Sequence, residues 1–316
     1  MPDDLKTRVA WLYYVEGMTQ DEVAKTVGLT RSRVLRILAN ARADGTVQIR
    51  VANQLSDCVA LERRLEAVWG LERAIVVPSP AEPEATPRII GQQLGDFISG
   101  EIRSDMTIGL GWGETLTSGL GAIEANGHDR MTVISLLGGL TRVAQVNPSE
   151  FAWRVADRLG AECYLMAAPV YAPDGATRDA LLTHAGIADV LDHAERLDLA
   201  IVSVGDLTPH SIFRRYGLLS SAEIASLEAA GAVGDLLCRF IDADGQPVAH
   251  PVNDRVMSVD HGRLSSARRI VLASGGWQKY TAIRAALRAM PVSVLVTDQM
   301  IAERLCLRAD NVDTPY

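Results

Sequence analysis

The sequence predicts an α/β chain in two parts: an N-terminal helix-turn-helix domain over residues 1–52 and, after a linker or connecting helix over 53–73, a doubly wound, largely parallel-sheet domain over 74–316. Three observations carry this expectation. Short helix-period segments, each bounded by capping residues and glycines, fill the first fifty positions. From residue 74 onward, short β-rich runs alternate with helical patterns, as in a parallel sheet covered on both faces. Charge is divided as well. Residues 1–50 hold eight Lys/Arg against six Asp/Glu, whereas the rest hold 23 against 33, so a formal charge of −8 conceals a net of +2 followed by −10.

In the first part, Leu5, Val9, Leu12 and Val15 recur at helical spacing and Gly17 closes the first helix. Thr19 caps a second helix, Glu22 completes a capping box, and Val23, Ala24 and Val27 form its apolar stripe up to Gly28. After the turn Gly28-Leu29-Thr30, a third helix runs from about Arg31 to Ala43 with Val34, Ile37, Leu38 and Ala41 inward. Ser32, Arg33, Arg36 and Asn40 then face outward. Two short helices around a glycine turn, with this chemistry on the second, suit a DNA major groove. Arg pairs with guanine, Asn with adenine, and Ser or Thr at a helix start with phosphate. The candidate DNA contacts are Thr19, Gln20, Lys25, Thr30, Arg31, Ser32, Arg33, Arg36 and Asn40, with Lys25 and Arg42 suited to backbone phosphates. The alternative is a small helical cap with a solvated arginine face.

Asp44-Gly45 is a turn signal, and Thr46–Val51 alternates like a strand, in keeping with a wing or a linker strand. Leu61, Leu65, Val68 and Trp69 suggest a connecting helix that packs either within the chain or against a second subunit. The proline-rich stretch from Pro78 to Pro87 reads as a surface loop.

In the second part, strands are expected at Ala74–Val77, Thr107–Leu110, Thr132–Leu137, Cys163–Ala167, Leu199–Val204, Arg269–Ala273 and Ser293–Thr297. Helices are expected at Ile89–Arg103, Thr115–Ala125, Ser149–Leu159 and Trp277–Met290. Ligands of such sheets bind beyond the carboxyl ends of the strands. Two glycine-rich strand ends stand out there. Amides around Gly111, Trp112, Gly113, Glu114 and Thr115 can cradle an anion or a hydroxyl cluster, and the Thr115 hydroxyl can join them. This is neither a Walker loop nor a good dinucleotide fingerprint, and glycines at strand ends also serve simply as turn formers. The second loop, Gly275-Gly276-Trp277-Gln278-Lys279, contains the only lysine after Lys25. An ammonium in the first turn of a helix opposes the helix dipole, a cost that an anionic or oxygen-rich ligand offsets; otherwise Lys279 is a solubilising surface residue. Asp206 and Asp235 can accept hydrogen bonds from sugar hydroxyls or act as turn caps.

The six histidines lack metal-ligand spacing, and Cys58, Cys163, Cys238 and Cys306 form no Cys-x-x-Cys pair. Neither a metal nor a cofactor is expected, and the thiols are expected to be mostly buried. No apolar run reaches the length of a membrane helix and the N-terminus has no signal-peptide core, so no membrane partner and a cytoplasmic location are expected.

Taken together, Gly17-Met-Thr-Gln-Asp-Glu-Val-Ala24, Leu29-Thr-Arg-Ser-Arg-Val34, Gly109-Leu-Gly-Trp-Gly-Glu-Thr115, Leu137-Gly-Gly139, Gly234-Asp235 and Gly275-Gly-Trp-Gln-Lys279 resemble the SorC family of bacterial sugar-binding regulators, often grouped with DeoR-type repressors. The resemblance spans essentially the whole chain. It implies an effector domain similar to sugar-phosphate isomerases and deaminases but used for binding, and homodimers or homotetramers on operator DNA. By the same resemblance Gly113, Glu114, Thr115, Gly138, Gly139, Asp235 and Lys279 fall around the ligand. Leu137 departs from members that hold phosphosugars, which can carry Arg or Lys there, and Trp112 would suit stacking on a sugar face. The expected function is a DNA-binding regulator, not an enzyme, controlled by a free sugar, sugar alcohol or sugar phosphate of a catabolic operon. Two alternatives stand beside it: a sugar-phosphate isomerase or deaminase with Asp206 and Asp235 as proton shuttles, and a DNA-binding scaffold without a ligand.

Overall fold

The computed structural model describes residues 3–47, 55–124, 127–141 and 147–307. The chain divides into two compact units, Met1–Asn53 and Gln54–Tyr316.

The first unit contains helices α1 (Asp3–Tyr14), α2 (Gln20–Val27) and α3 (Arg31–Ala43). Thr19 and Glu22 form a reciprocal capping box at the start of α2, and Gly28 ends that helix at φ +67, a left-handed conformation that glycine takes without a Cβ penalty. Thr30 accepts the Arg33 amide and caps α3 two residues later. The helices close on Val9, Val23, Ala24, Val34, Ile37 and Leu38. The Asp44 turn bonds back to the Thr46 amide. Most of the strand expected at Thr46–Val51 lies outside the described residues.

The second unit starts with α4 (Leu55–Trp69), which is no free linker. Glu62 and Glu66 accept the amides of Val76 and Ala74, and Cys58 and Leu65 are fully buried. The expected connecting helix therefore packs within the chain. Next come β1 (Arg73–Val77), α5 (Thr86–Glu101), β2 (Thr107–Leu110), α6 (Glu114–Ser118), β3 (Thr132–Ser135), α7 (Pro148–Leu159) and β4 (Glu162–Tyr164). After α8 (Gly175–Leu182) and α9 (Ala185–Ala194) come β5 (Leu199–Val202) and β6 (Val204–Gly205). The chain continues through α10 (Ile212–Arg215), α11 (Ser221–Ala229), β7 (Gly234–Leu236), β8 (Arg239–Ile241), α12 (Pro251–Asp254) and α13 (His261–Leu264). It ends with β9 (Ile270–Ala273), α14 (Tyr280–Ala289), β10 (Val294–Asp298) and α15 (Gln299–Leu307). No described helix is long and apolar enough to cross a membrane.

Seven strands form one parallel sheet in the order β1-β10-β9-β5-β2-β3-β4. Side chains alternate between its faces. Ile75, Ile108, Val133, Ile201 and Val271 pack with Ile90, Leu94, Leu116 and Phe151 on one side, while Val76, Ile134, Val202 and Leu272 pack with Leu65, Leu191, Ile283 and Leu305 on the other. Burial on both faces explains why these strands read as continuous apolar runs rather than as alternating ones. From β2 the chain steps outward through β3 and β4, then returns to β5 on the opposite side of β2. That reversal parts the loops leaving β2 and β5 and opens a crevice at their carboxyl ends.

Four expected elements are shorter than their apolar patterns suggested, the first being the run Cys163–Ala167, which leaves the ladder after Tyr164. The run to Leu137 leaves the ladder after Ser135 and continues as isolated bridges, Leu137 to Ser258 and Gly139 to Pro169. The Leu199–Val204 run splits at Ser203, so that Val204 and Gly205 join a second sheet, the antiparallel β6-β7-β8. The helix expected at Thr115–Ala125 is α-helical only to Ser118 and tightens to a 3-10 turn over Leu120–Ala122, and between the two Gly119 packs so close to Gly91 that a Cβ on it would sit 2.5 Å from the Gly91 carbonyl oxygen.

Candidate functional site

On the first unit, α3 exposes Arg31, Ser32, Arg33, Arg36 and Asn40 together with Leu35, while Val34, Ile37, Leu38 and Ala41 are buried. Of the other expected DNA contacts, Thr19, Lys25 and Thr30 are exposed and Gln20 is half-buried. Several already have structural partners. The Thr19 and Thr30 hydroxyls accept amides as helix caps, Thr30 and Ser32 share a contact of 3.2 Å, and Arg31 reaches Gln20 at 3.4 Å and Asp21 at 3.9 Å. Arg33, Arg36 and Asn40 thus form the outward polar row of a helix with no acidic residue in its first turn. Leu35, at 44% exposed, adds an apolar group to this face, of the kind that can meet a thymine methyl. The helical pattern allowed it to be placed there, but attention to polar residues passed over it.

On the second unit, a cavity of about 720 Å³ opens at the reversal between β2 and β5, a volume ordinary for small-molecule sites. Trp112, Gly113 and Glu114 from the loop after β2 line it, as do Ser203 to Asp206 after β5, Asp235 of β7, and Gly275 and Trp277 to Lys279 after β9. Parts of the proline-rich loop and of α10 complete the wall. The structure thus brings together Trp112, Gly113, Glu114, Asp206, Asp235, Gly275 and Lys279 from loops far apart in sequence.

Asp235 lies deepest, 2% exposed. One oxygen, Oδ2, accepts the Cys238 amide at 2.8 Å, and Oδ1 lies over Gly205 with no well-formed hydrogen bond. Burial pushes its pKa from 3.8 up to about 7, and nearby Asp206 pushes the same way, while the Cys238 amide, Lys279 and, most weakly, the Gly205 amide pull it down. The Lys279 ammonium donates to the Val204 carbonyl at 3.0 Å. Asp206 accepts both the amide and the hydroxyl of Thr208, as a turn cap does. Glu114 pairs with Arg215 across the wall.

Asp235 is held by a hairpin that sequence patterns did not reveal. Leu236 and Arg239 pair across the two residues Leu237 and Cys238, at φ +52 and +63. A two-residue turn with both φ values positive ordinarily carries Asn-Gly or Asp-Gly. Here the Asp235 carboxylate on the Cys238 amide and the Tyr171 hydroxyl on the Cys238 carbonyl, both at 2.8 Å, hold buried non-glycine residues in that conformation.

Five expected ligand residues do not line the cavity, and in four of them the amide has a protein partner. Gly111 donates to the Ile201 carbonyl, Gly138 to Met257, Gly139 to Ala168, and Gly276 to the Asp298 carboxylate. Thr115 is 3% exposed, with its carbonyl against Gly91. Trp112 is corrected in role. It reaches the wall but is only 4% exposed within the apolar core, and it bonds to the Cys238 thiol, so it offers no open face for stacking. The exposed aromatic of the cavity is Trp277, at 64%. Its neighbours in the second glycine loop were noticed in the sequence, while the indole itself was not.

Among the described residues no group of His, Cys, Asp or Glu is arranged to hold a metal ion. All four cysteines are thiols, three of them buried.

Comparison with known proteins places these features in context. The family model described as "Putative sugar-binding domain" matches residues 53–306, and the one described as "Sigma-70, region 4" matches residues 8–43. The erythritol catabolism regulatory protein EryD of Brucella abortus is 33% identical over 307 residues, covering 96% of this chain and 96% of the relative. The transcriptional regulator LsrR of Klebsiella pneumoniae is 28% identical over 308 residues, covering 95% and 92%. The crystal structure of the full-length sorbitol operon regulator SorC from Klebsiella pneumoniae superposes with a TM-score of 0.72 at 25% identity, covering 96% of this chain and 99% of that one.

Proposed function

This chain belongs to the SorC family of sugar-binding transcriptional regulators, and we propose that it binds operator DNA through α3 and controls that binding with a small carbohydrate held in the crevice between β2 and β5. The observation that carries the effector half is the buried Asp235, whose unsatisfied Oδ1 and neighbouring Lys279 line a cavity at the sheet reversal. A carbohydrate hydroxyl would give Oδ1 the well-formed hydrogen bond that the Gly205 amide does not, and a buried polar atom left unsatisfied costs about 1–3 kcal/mol. The effector is a sugar, a sugar alcohol or a sugar phosphate of a catabolic operon, and the protein works in the cytoplasm, where operator DNA is. Gly113, Glu114, Asp206, Asp235, Gly275 and Lys279 surround it, and Arg33, Arg36 and Asn40 read bases, with Lys25 and the caps of α3 on phosphates.

The cavity binds without turnover. Asp206 Oδ1 takes both bonds from Thr208, which leaves Oδ2 to accept from a ligand, and Lys279 donates to the Val204 carbonyl, an arrangement that favours holding hydroxyls over proton transfer. Sustained turnover of a sugar phosphate, abolished by Asp235→Ala, would overturn this reading. The regulator acts as a homodimer or homotetramer, which light scattering on the full chain, with and without DNA, would test.

The central experiment is a thermal-shift panel of sugars, polyols and sugar phosphates, followed by operator titration with each compound that shifts the melting temperature. A ligand that binds only the folded state raises that temperature. A shift lost in Lys279→Ala, accompanied by altered operator affinity, supports the proposal. A panel without any shift refutes it.

A further inference from the structure

At two glycines of the cavity, the place where a Cβ would stand is already taken. Above Gly275, the Asp298 carboxylate from the end of β10 stands where a Cβ would come within 2.3 Å of Oδ2, and the same oxygen accepts the Gly276 amide at 2.7 Å. Above Gly205, Asp235 Oδ1 stands 2.1 Å from where a Cβ would be. In both places glycine makes room for an acid of the chain itself. At the start of α6, Glu114 occupies the first turn and pairs with Arg215. At the loop after β9, then, the Gly276 amide that elsewhere could serve a phosphate is taken by a carboxylate of the same chain.

Charge on the wall points the same way. Among the described residues that line the cavity, three carboxylates (Glu84, Glu114 and Asp206), besides the buried Asp235 that keeps its proton up to about pH 7, stand against the cations Arg215 and Lys279 and the imidazole of His210. Arg215 is engaged by Glu114, and Lys279 by a carbonyl and by the field of Asp235. A phosphate dianion entering here would meet more repulsion than pairing. A hydroxyl, by contrast, can both donate to a carboxylate and accept from an ammonium. Trp277 adds the remaining part, an indole 64% exposed at the rim with the Arg304 guanidinium 6.0 Å from its ring. The C–H face of a polyol or sugar ring can rest on such a surface while its hydroxyls turn toward the acids.

We propose that the cavity selects an uncharged polyhydroxy compound over its own phosphate ester, with Trp277 as the apolar platform and the acids Asp206 and Asp235 as hydroxyl acceptors. This rests on the carbohydrate-effector reading and sharpens it: the chain's own acids disfavour the phosphate that glycine loops at helix starts hold in other proteins.

The test is calorimetric titration of the full-length protein with four- to six-carbon polyols and free sugars, each paired with its monophosphate, and with tryptophan fluorescence followed in parallel. At least one uncharged compound should bind on the order of tenfold or more tightly than its phosphate ester. Trp277→Ala should weaken that compound severalfold and remove its fluorescence change, and Trp277→Phe should restore most of the affinity. Asp298→Asn, with its melting curve recorded to verify folding, should narrow the gap between the compound and its ester. A phosphate ester that binds more tightly than its parent overturns this inference and leaves the effector reading standing. Unchanged affinity in Trp277→Ala overturns the platform. Binding by neither series overturns the effector reading itself, and this inference with it.

Discussion

Replacing Asp235 by asparagine should change the pH dependence of stability in a direction the structure fixes. The carboxyl is 2% exposed, and burial, the largest cause, raises its pKa from 3.8 to about 7. Between those values the folded protein keeps a proton that the unfolded chain has released. The favourable contribution is therefore fully present below pH 3.8 and is lost as pH rises through 7. At about 1.4 kcal/mol per pKa unit, complete ionisation costs up to about 4 kcal/mol, of which about 2 kcal/mol falls between pH 5.5 and 8.5. Asp235→Asn removes the titration yet keeps an oxygen for the Cys238 amide, which the carboxylate now accepts at 2.8 Å. Urea unfolding of both proteins at pH 5.5, 7 and 8.5, followed by a probe of the second unit, isolates the term, because every other titrating group is common to both. The variant should gain on the parent by about 2 kcal/mol across that range. Parallel pH profiles would refute the claim that this carboxyl is held protonated near neutrality. A gap that widens toward acid would reverse its sign.

Arg33→Ala and Arg36→Ala should each weaken operator binding by about 1–3 kcal/mol and leave the melting of the second unit unchanged, as measured by fluorescence anisotropy and calorimetry; unchanged affinity and salt slope in both would reject α3 as the reading helix. Gly205→Ala should abolish effector-induced thermal shifts while operator affinity without effector persists, because its Cβ would stand 2.1 Å from Asp235 Oδ1; a retained shift would show that Asp235 can move aside. Asn253→Ala removes three buried hydrogen bonds, one from the Phe240 amide and one each to the carbonyls of Phe240 and Val248, and should cost about 3 kcal/mol in denaturant unfolding; a loss below 1 kcal/mol would mean that water replaces them.

The large sheet was legible because its strands are buried on both faces. Val-Ile-rich runs such as Ile270–Ala273 announce themselves without alternation, and all seven expected runs contribute strands to the one parallel sheet. The first unit was legible for another reason: Thr19, Glu22, Gly28 and Thr30 are local signals whose partners lie within a few residues. The small sheet escaped notice because β6, β7 and β8 are two or three residues long. Their turn, at Leu237 and Cys238, carries none of the residues that usually mark it. Its conformation is imposed from a distance, by Tyr171 and by packing against Gly111, and no window of sequence contains those contacts.

The same distinction between local and distant explains why some of the expected ligand residues do not line the cavity. A glycine loop at the start of a helix shows in sequence that backbone amides are close together, but not whether they are free. The Gly276 amide is taken by Asp298, 22 residues onward, and Gly205 makes room for Asp235, 30 residues onward. Gly138 and Gly139 give their amides to carbonyls of Met257 and Ala168. Lys279 stood out in the sequence as the only lysine after Lys25 and Asp235 as an acid at a strand end, and both line the cavity, where each lies in the field of the other. In this fold, charged residues such as Lys279 and Asp235 therefore mark the cavity more surely than the glycines beside them, several of which spend their amides on the chain itself.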